Sequence, residues 1–133
     1  ALARYIVRER SSDPRRLLEG DMEERRNELL AQPGIGEETA DAILLFAGRR
    51  PTFISAAYVR RLLDRLGTLS SDDYAEVQRF MEGELPRDAE AYKRAYALMV
   101  HHSRTACRTR PRCQTCCLRL HCLTGTAGRT DCR

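Results

Sequence analysis

Leu29-Leu30-Ala31-Gln32-Pro33-Gly34-Ile35-Gly36-Glu37-Glu38-Thr39-Ala40-Asp41-Ala42-Ile43-Leu44-Leu45 is the stretch whose reading decides the fold. A helical pattern enters it from Met22 and another leaves it toward Ala47. The segment between them, Pro33 to Gly36, is long enough only for a tight hairpin. Pro33 has no backbone N–H and cannot continue the first helix. Gly34 and Gly36 can adopt backbone angles closed to other residues and put no side chain in the way. Ile35 is apolar where a tip should be polar, so it is expected to plug down between the two helices. The free N–H groups at the start of the second helix then point outward, where they can hold an anion.

Outward from the hairpin the chain reads as helices. Ala1 to Arg10 has the pattern of a helix end. Asp13-Pro14 is an N-cap and first-turn pair for a short helix ending at Gly20. Asp21 with Glu24 has the form of a capping box opening the first hairpin helix. In the second, Ala40, Ile43, Leu44 and Ala47 fall at i, i+3, i+4, i+7 and predict one core-facing stripe, ended by Gly48. Arg49 to Ser55 reads as an extended linker. Tyr58 to Leu66 is helical, with Val59, Leu62, Leu63 and Leu66 on one face, arginines on the other, and Gly67 at its end. Ser70 or Ser71 should start the next helix, with Tyr74, Val77 and Met81 inward, and Leu85-Pro86 stop it. Asp88 should cap a last helix to about Ser103, with Tyr92, Ala95, Tyr96 and Met99 inward. No strand alternation and no repeat appears, so the class is all-α.

A chain of 133 residues with 42% hydrophobic content suits one core, or one core with a small appendage. No stretch is long or apolar enough to cross a membrane and no signal peptide opens the chain, so a cytoplasmic protein is expected. The missing initiator Met and a start inside a helical pattern suggest a fragment. The net charge of +4 hides an asymmetry. Residues 1–100 carry 16 Lys+Arg against 18 Asp+Glu, whereas residues 101–133 carry 7 against 1, so the basic end is the one suited to a polyanion. Lys93 is the one lysine. Any chemistry needing a lysine amine has a single candidate.

The basic end also holds the cysteines. Cys107, Cys113, Cys116 and Cys122 are spaced C-x5-C-x2-C-x5-C, which suits four thiolates on an iron–sulfur cluster or on a structural zinc. Cys117 adjoins Cys116 as a spare thiol or a substitute ligand, and Cys132 lies in a Gly/Thr tail and is expected to ligate nothing. Six cysteines also permit three disulfides, although nothing marks a secreted chain. His101, His102 and His121 read as surface residues before ligands.

The hairpin string, then Pro51-Thr52-Phe53-Ile54, Tyr58-Val59-Arg60-Arg61-Leu62-Leu63, Arg65-Leu66-Gly67 and the cysteine run, together resemble the endonuclease III superfamily of helix-hairpin-helix DNA glycosylases. The resemblance covers nearly all of this chain but only the later portion of a family member. It implies a helical hairpin domain over 1–103 and a [4Fe–4S] cluster loop and tail over 104–133. It implies base-excision repair on double-stranded DNA, by a monomer associated with the nucleoid of a prokaryote-like cell, in which a damaged base is flipped out and released. Gly34, Ile35, Gly36 and Thr39 would hold the DNA backbone, and Arg108, Arg110 and Arg112 would meet phosphates further along. Cys107, Cys113, Cys116 and Cys122 would be the cluster ligands, although the best-known members have six residues in the first interval and this chain has five.

Two departures bear on chemistry. The family places an aspartate between the extended run and the following helix, where it stabilises charge growing on the sugar and helps activate the nucleophile. The matching position here is Ala56. Bifunctional members carry a Schiff-base lysine in the second hairpin helix. The matching position here is Glu38, which favours a monofunctional reading, whereas Ala56 removes the acid both types share and implies an impaired chain. Asp41, Glu37 and Glu38 are nearby acids of a kind common at helix starts for dipole reasons. The lack of a lysine between Pro33 and Leu45 leans toward alkylated purines over oxidised pyrimidines. A non-catalytic DNA-binding module and a zinc-stabilised interaction domain are the rival readings.

Overall fold

The computed structural model describes residues 2–127, and they form two compact units. Cys132 lies outside the described residues. Among the described residues there is no strand, so the all-α expectation holds.

The first unit comprises residues up to Ile54 together with Glu82–Lys93. Helix α1 (Leu2–Glu9) is followed by a short 3-10 helix, Pro14–Leu18, where the sequence predicted a short helix ending at Gly20. Asp13 caps that turn, accepting the Arg15 N–H at 3.0 Å. Helix α2 (Met22–Leu30) is capped by Asp21, whose Oδ1 accepts the N–H groups of Glu23 and Glu24 at 2.9 and 3.0 Å. The Glu24 carboxylate, expected to complete a capping box, pairs instead with Arg25 at 3.1 Å. Leu29, Ala40 and Leu44 form the centre of this unit, and Ile6, Leu18, Met22 and Ile35 pack against them.

The second hairpin helix departs from expectation. Helix α3 (Glu37–Ala42) gives way to a π-helical turn, Ile43–Ala47, in which the Gly48 N–H reaches back five residues to the Ile43 carbonyl. The wider turn rotates the inward face. Leu44 and Leu45 are buried and Ala47 is exposed, so the stripe predicted from a 3.6-residue period is broken after Leu44. Gly48 is sterically required, because a Cβ there would lie 2.7 Å from the Leu44 carbonyl oxygen. Asp41 is fully buried, not an exposed helix-start acid. Its carboxylate takes Arg26 Nε at 2.7 Å and Nη2 at 3.1 Å, and accepts the Thr52 hydroxyl at 3.3 Å. This pairing raises the already high pKa of Arg26.

The run after the hairpin is extended, as predicted, and is tied down at Phe53. Its N–H donates to the Glu82 carboxylate at 2.8 Å, and its ring meets Tyr92 edge-on at 5.9 Å. Burial pushes the Glu82 carboxyl above its ordinary range, against the opposing pull of the Phe53 N–H.

The second unit comprises Ser55–Met81 and the chain from Arg94. Helix α4 (Ala57–Leu66) buries Val59, Leu62 and Leu63 and ends on Gly67 at φ +81°, a left-handed angle that favours glycine. Helix α5 (Tyr74–Glu84) starts later than Ser70 or Ser71, because Asp73 is the residue that accepts the Glu76 N–H, at 2.6 Å. Helix α6 (Ala89–Thr105) is capped by Asp88 through the Ala91 N–H at 2.8 Å, as predicted. Two 3-10 turns, Cys113–Thr115 and Arg119–His121, and the short helix α7 (Leu123–Thr126) complete the described chain.

Candidate nucleic-acid interface and cysteine pocket

The hairpin tip is built by one glycine with an unusual angle and one without. Gly34 sits at φ +85°, closed to most side chains, with nothing within 4 Å of where a Cβ would be. Gly36 lies at φ −95°, ψ 179°, which any residue adopts, so its expected conformational freedom is not used. What it contributes is open space, since no atom lies within 4 Å of its missing Cβ. Ile35 is half-buried and packs on the Leu29–Ala40–Leu44 centre, as its apolar character predicted. Gly36 gives α3 no side-chain cap, so its first-turn N–H groups are unclaimed by a capping side chain. Thr39 is exposed beside them. Glu37 and Glu38 are both exposed, and Glu37 approaches Arg26 at 3.5 Å.

Ala56 is the N-cap of α4, at φ −62° and ψ 161°, and it too makes no side-chain cap. It is 1% exposed, and its carbonyl accepts the Val59 and Arg60 N–H groups at 2.9 and 3.1 Å. The position that resembles the family's aspartate is therefore one where an aspartate is also the preferred local residue. Lys93 is half-buried and paired with Glu90 at 3.0 Å.

In the second unit, Cys107, Cys113, Cys116 and Cys122 line one cavity, walled by Leu62, Leu66, Ala106, Pro111 and Leu118 and flanked by Arg65 and His102. Cys107, Cys116, Cys117 and Cys122 are thiols and not disulfides. Cys117 is exposed and does not line the cavity, although it is next in sequence to one that does. Among the described residues, no three His, Cys, Asp or Glu side chains are grouped as the ligands of one metal ion would be. All four thiols line the same cavity. Four thiolates at one cavity are a donor set suited to a [4Fe–4S] cluster, with these four residues as the holders.

Two residues at this pocket escaped the sequence reading. Arg65, assigned to the polar face of α4, is buried. It reaches the Arg108 and Thr109 carbonyls at 2.5 and 2.9 Å and the Cys107 Sγ at 3.4 Å. The available signal was its place one turn beyond Arg61 and on the flank of Leu62, at the edge of the apolar stripe. His102, read as a surface residue, is half-buried with Nε2 3.6 Å from Cys116 Sγ.

Arg108, Arg110 and Arg112 are all exposed and line one open groove with Arg61, Arg104, Thr109, Ser103 and Tyr58. No carboxylate lines it. Arg61 lies over the Tyr58 ring at 5.4 Å and donates to the Ser103 and Cys107 carbonyls at 3.2 and 3.1 Å. The groove can receive a polyanion backbone, with exposed guanidiniums suited to paired contacts with phosphate oxygens.

A model of the helix-hairpin-helix motif matches residues 17–46. The hairpin and the all-α fold together are those of a helix-hairpin-helix protein. The chain is 41% identical over 99 residues to a putative DNA repair glycosylase of Methanocaldococcus jannaschii, covering 74% of this chain and 45% of that protein. It is 34% identical over 124 residues to endonuclease III of Sulfolobus acidocaldarius, covering 90% and 55% respectively. A solved non-covalent endonuclease III–DNA complex superposes with a TM-score of 0.78 at 25% identity, covering 96% of this chain and 56% of that one. A trapped endonuclease III–DNA covalent intermediate gives 0.76 at 26% identity, covering 93% and 55%. The chain is thus similar to endonuclease III and carries a helix-hairpin-helix motif. It spans about half the length of the curated relatives it matches.

Proposed function

We propose that this chain is the later portion of a base-excision-repair DNA glycosylase of the endonuclease III type, acting as a monomer on double-stranded DNA that contains a damaged base. The observation that carries the reading is the hairpin: Gly34 at a left-handed angle, Ile35 packed inward, and an uncapped helix start with open space at Gly36. That geometry suits a backbone phosphate gripped by N–H groups, without reading of sequence. The arginine groove supplies a second set of phosphate contacts. The functional division follows the chain: 1–103 carries the hairpin and the position of the missing acid, and 104–133 the cluster loop. Action on the chromosome of a prokaryote-like cell is part of the same reading, and no helix among the described residues is long and apolar enough to cross a membrane.

Cys107, Cys113, Cys116 and Cys122 are the residues that would hold a [4Fe–4S] cluster, and the cavity that all four line supports this reading. The cluster's contribution is structural: it ties down a polar loop that presents Arg108, Arg110 and Arg112. This chain's own residues bind and orient DNA. They do not supply the family chemistry, because Ala56 offers a methyl group where a carboxylate is needed and Glu38 offers no amine. We therefore expect no base release and no borohydride-trapped adduct with abasic DNA from this chain.

The absent acid favours a second reading, a DNA-binding module that keeps hairpin and cluster without chemistry. The test is Ala56→Asp in a version extended to the length of the relatives. Base release restored by that change supports a disabled glycosylase, with water as the nucleophile. Efficient strand cleavage should need Glu38→Lys as well. No release from a folded, cluster-loaded Ala56→Asp protein would favour the module.

A further inference from the structure

We propose that Arg65 is the internal counter-charge of an anionic four-thiolate centre held by Cys107, Cys113, Cys116 and Cys122, a positioning residue and not merely a clamp on the loop. The inference rests on the cluster reading above.

Arg65 is 7% exposed, and among the described residues its hydrogen-bond partners are backbone carbonyls and a thiol. Its guanidinium donates to the carbonyls of Arg108 and Thr109 and to the Cys107 Sγ at 3.4 Å. Among the described residues no carboxylate pairs with it. The acid next in sequence, Asp64, is exposed and accepts the Ser70 hydroxyl at 2.6 Å. Arg26 makes the contrast within the same chain, because it meets the buried Asp41 carboxylate at 2.7 Å. A guanidinium withdrawn from water without a counter-ion is costly, and carbonyl dipoles repay only part of that cost. Negative charge beside Arg65 would offset the remainder. What sits there is the thiol-lined cavity, walled by Leu62, Leu66 and Pro111, whose apolar surface strengthens any charge–charge attraction across it; His102 and the exposed Arg119 also line it. Four thiolates around a cluster carry net negative charge, and they become more negative with each electron accepted. A fixed cation beside them stabilises the reduced form and raises the potential.

The test compares Arg65→Gln and Arg65→Lys with the unaltered, anaerobically purified chain. Iron and sulfide per chain, the cluster's midpoint potential, and urea unfolding of loaded and metal-free protein are measured. Gln retains hydrogen-bonding capacity without charge, and Lys retains charge without the planar fork. The Gln variant should shift the oxidised-to-reduced ratio at fixed solution potential by about tenfold toward oxidised, whereas Lys should stay within about threefold of the unaltered protein. Arg65→Gln should be neutral or stabilising without metal and destabilising with it, since only the loaded form contains the counter-charge. A Gln variant that will not load while Lys loads supports the assignment. Equal potentials, Lys falling as far as Gln, equal stability losses with and without metal, or failure of both variants to load would each overturn it while leaving the cluster intact as a reading. An unaltered chain without iron or sulfide overturns both.

Discussion

Ala56 illustrates how one position joins stability to chemistry. It is the N-cap of α4, buried and without a side-chain oxygen for the helix start. Ala56→Asp should raise stability by about 1 kcal/mol if the carboxylate accepts the Tyr58 or Val59 N–H. Ala56→Asn should give a similar gain in urea unfolding and no base release in the extended protein, which separates capping from catalysis. In the extended protein, the aspartate alone should raise base release by at least about 10²-fold, the scale of one well-placed electrostatic stabiliser. Stability falling in both variants would mean that the new side chain cannot reach the cap. The two hairpin glycines separate in the same manner. Gly34→Ala forces a Cβ into a left-handed angle and should cost about 1–2 kcal/mol in thermal or urea unfolding. Gly36→Ala meets neither strain nor a protein neighbour, so it should leave stability nearly unchanged while weakening duplex binding in a titration. Equal DNA affinities for Gly36→Ala and the unaltered chain would argue against phosphate approaching there.

Among elements, the extended run depends on a carboxylate whose ionisation is opposed by burial. Glu82 accepts the Phe53 N–H, yet its pKa is raised because desolvation outweighs that bond. A carboxyl raised in the folded state favours folding below its ordinary value of 4.5, and that contribution is lost as pH rises through the folded value. Glu82→Gln keeps an acceptor for Phe53 without the charge. Stability of the unaltered chain should decline more between pH 4.5 and 7 than that of Glu82→Gln, by urea unfolding at both values. Parallel pH profiles would show that this carboxylate is not penalised. Elements also mark what was legible beforehand. Helix starts at Asp21 and Asp88, the stop at Gly67 and the hairpin itself follow from local rules, because a cap or a left-handed turn needs only its neighbours. The π turn at Ile43–Ala47 was not legible, since a period of 3.6 was assumed and the residues themselves are ordinary helix formers. Arg65 was misassigned for a different reason: its partners at Cys107 to Thr109 are more than forty residues away, and periodicity records no such contact.

For the whole molecule, the basic charge gathered at the carboxy-terminal end becomes a surface with a shape. Arg108, Arg110 and Arg112 line one groove that includes no acid, so duplex affinity should fall as salt rises, through counterion release. Replacing the three together should lower the slope of log affinity against log salt by about 2–3. An unchanged slope would remove this groove from the DNA-binding surface. The cysteines make a complementary prediction. The anaerobically purified chain should contain about four irons and four sulfides and absorb broadly in the visible. Cys117→Ser and Cys132→Ser should leave those values unaltered, whereas Cys116→Ser should reduce them. Zinc at about one per chain in a colourless protein would restore the single-ion alternative. Spacing grouped four cysteines, and the same four line one cavity. That Cys117 is excluded from it depends on the 3-10 turns around it, which spacing does not record.

The π turn also bears on how this hairpin tolerates a change in length. It contains one residue more than an α-helical path between the same ends would use. Deleting a single residue within Ile43–Ala47 should let the backbone relax into a regular α-helix, with its hydrogen bonds re-formed. The chain beyond would then leave the helix rotated by about 100° and drawn back by about 1.5 Å. Phe53 would be displaced from Glu82 and from the Tyr92 ring, even though every turn of the helix was sound. The extra residue thus acts as a phase adjuster, and a variant one residue shorter should fold its hairpin correctly and misdirect everything that follows.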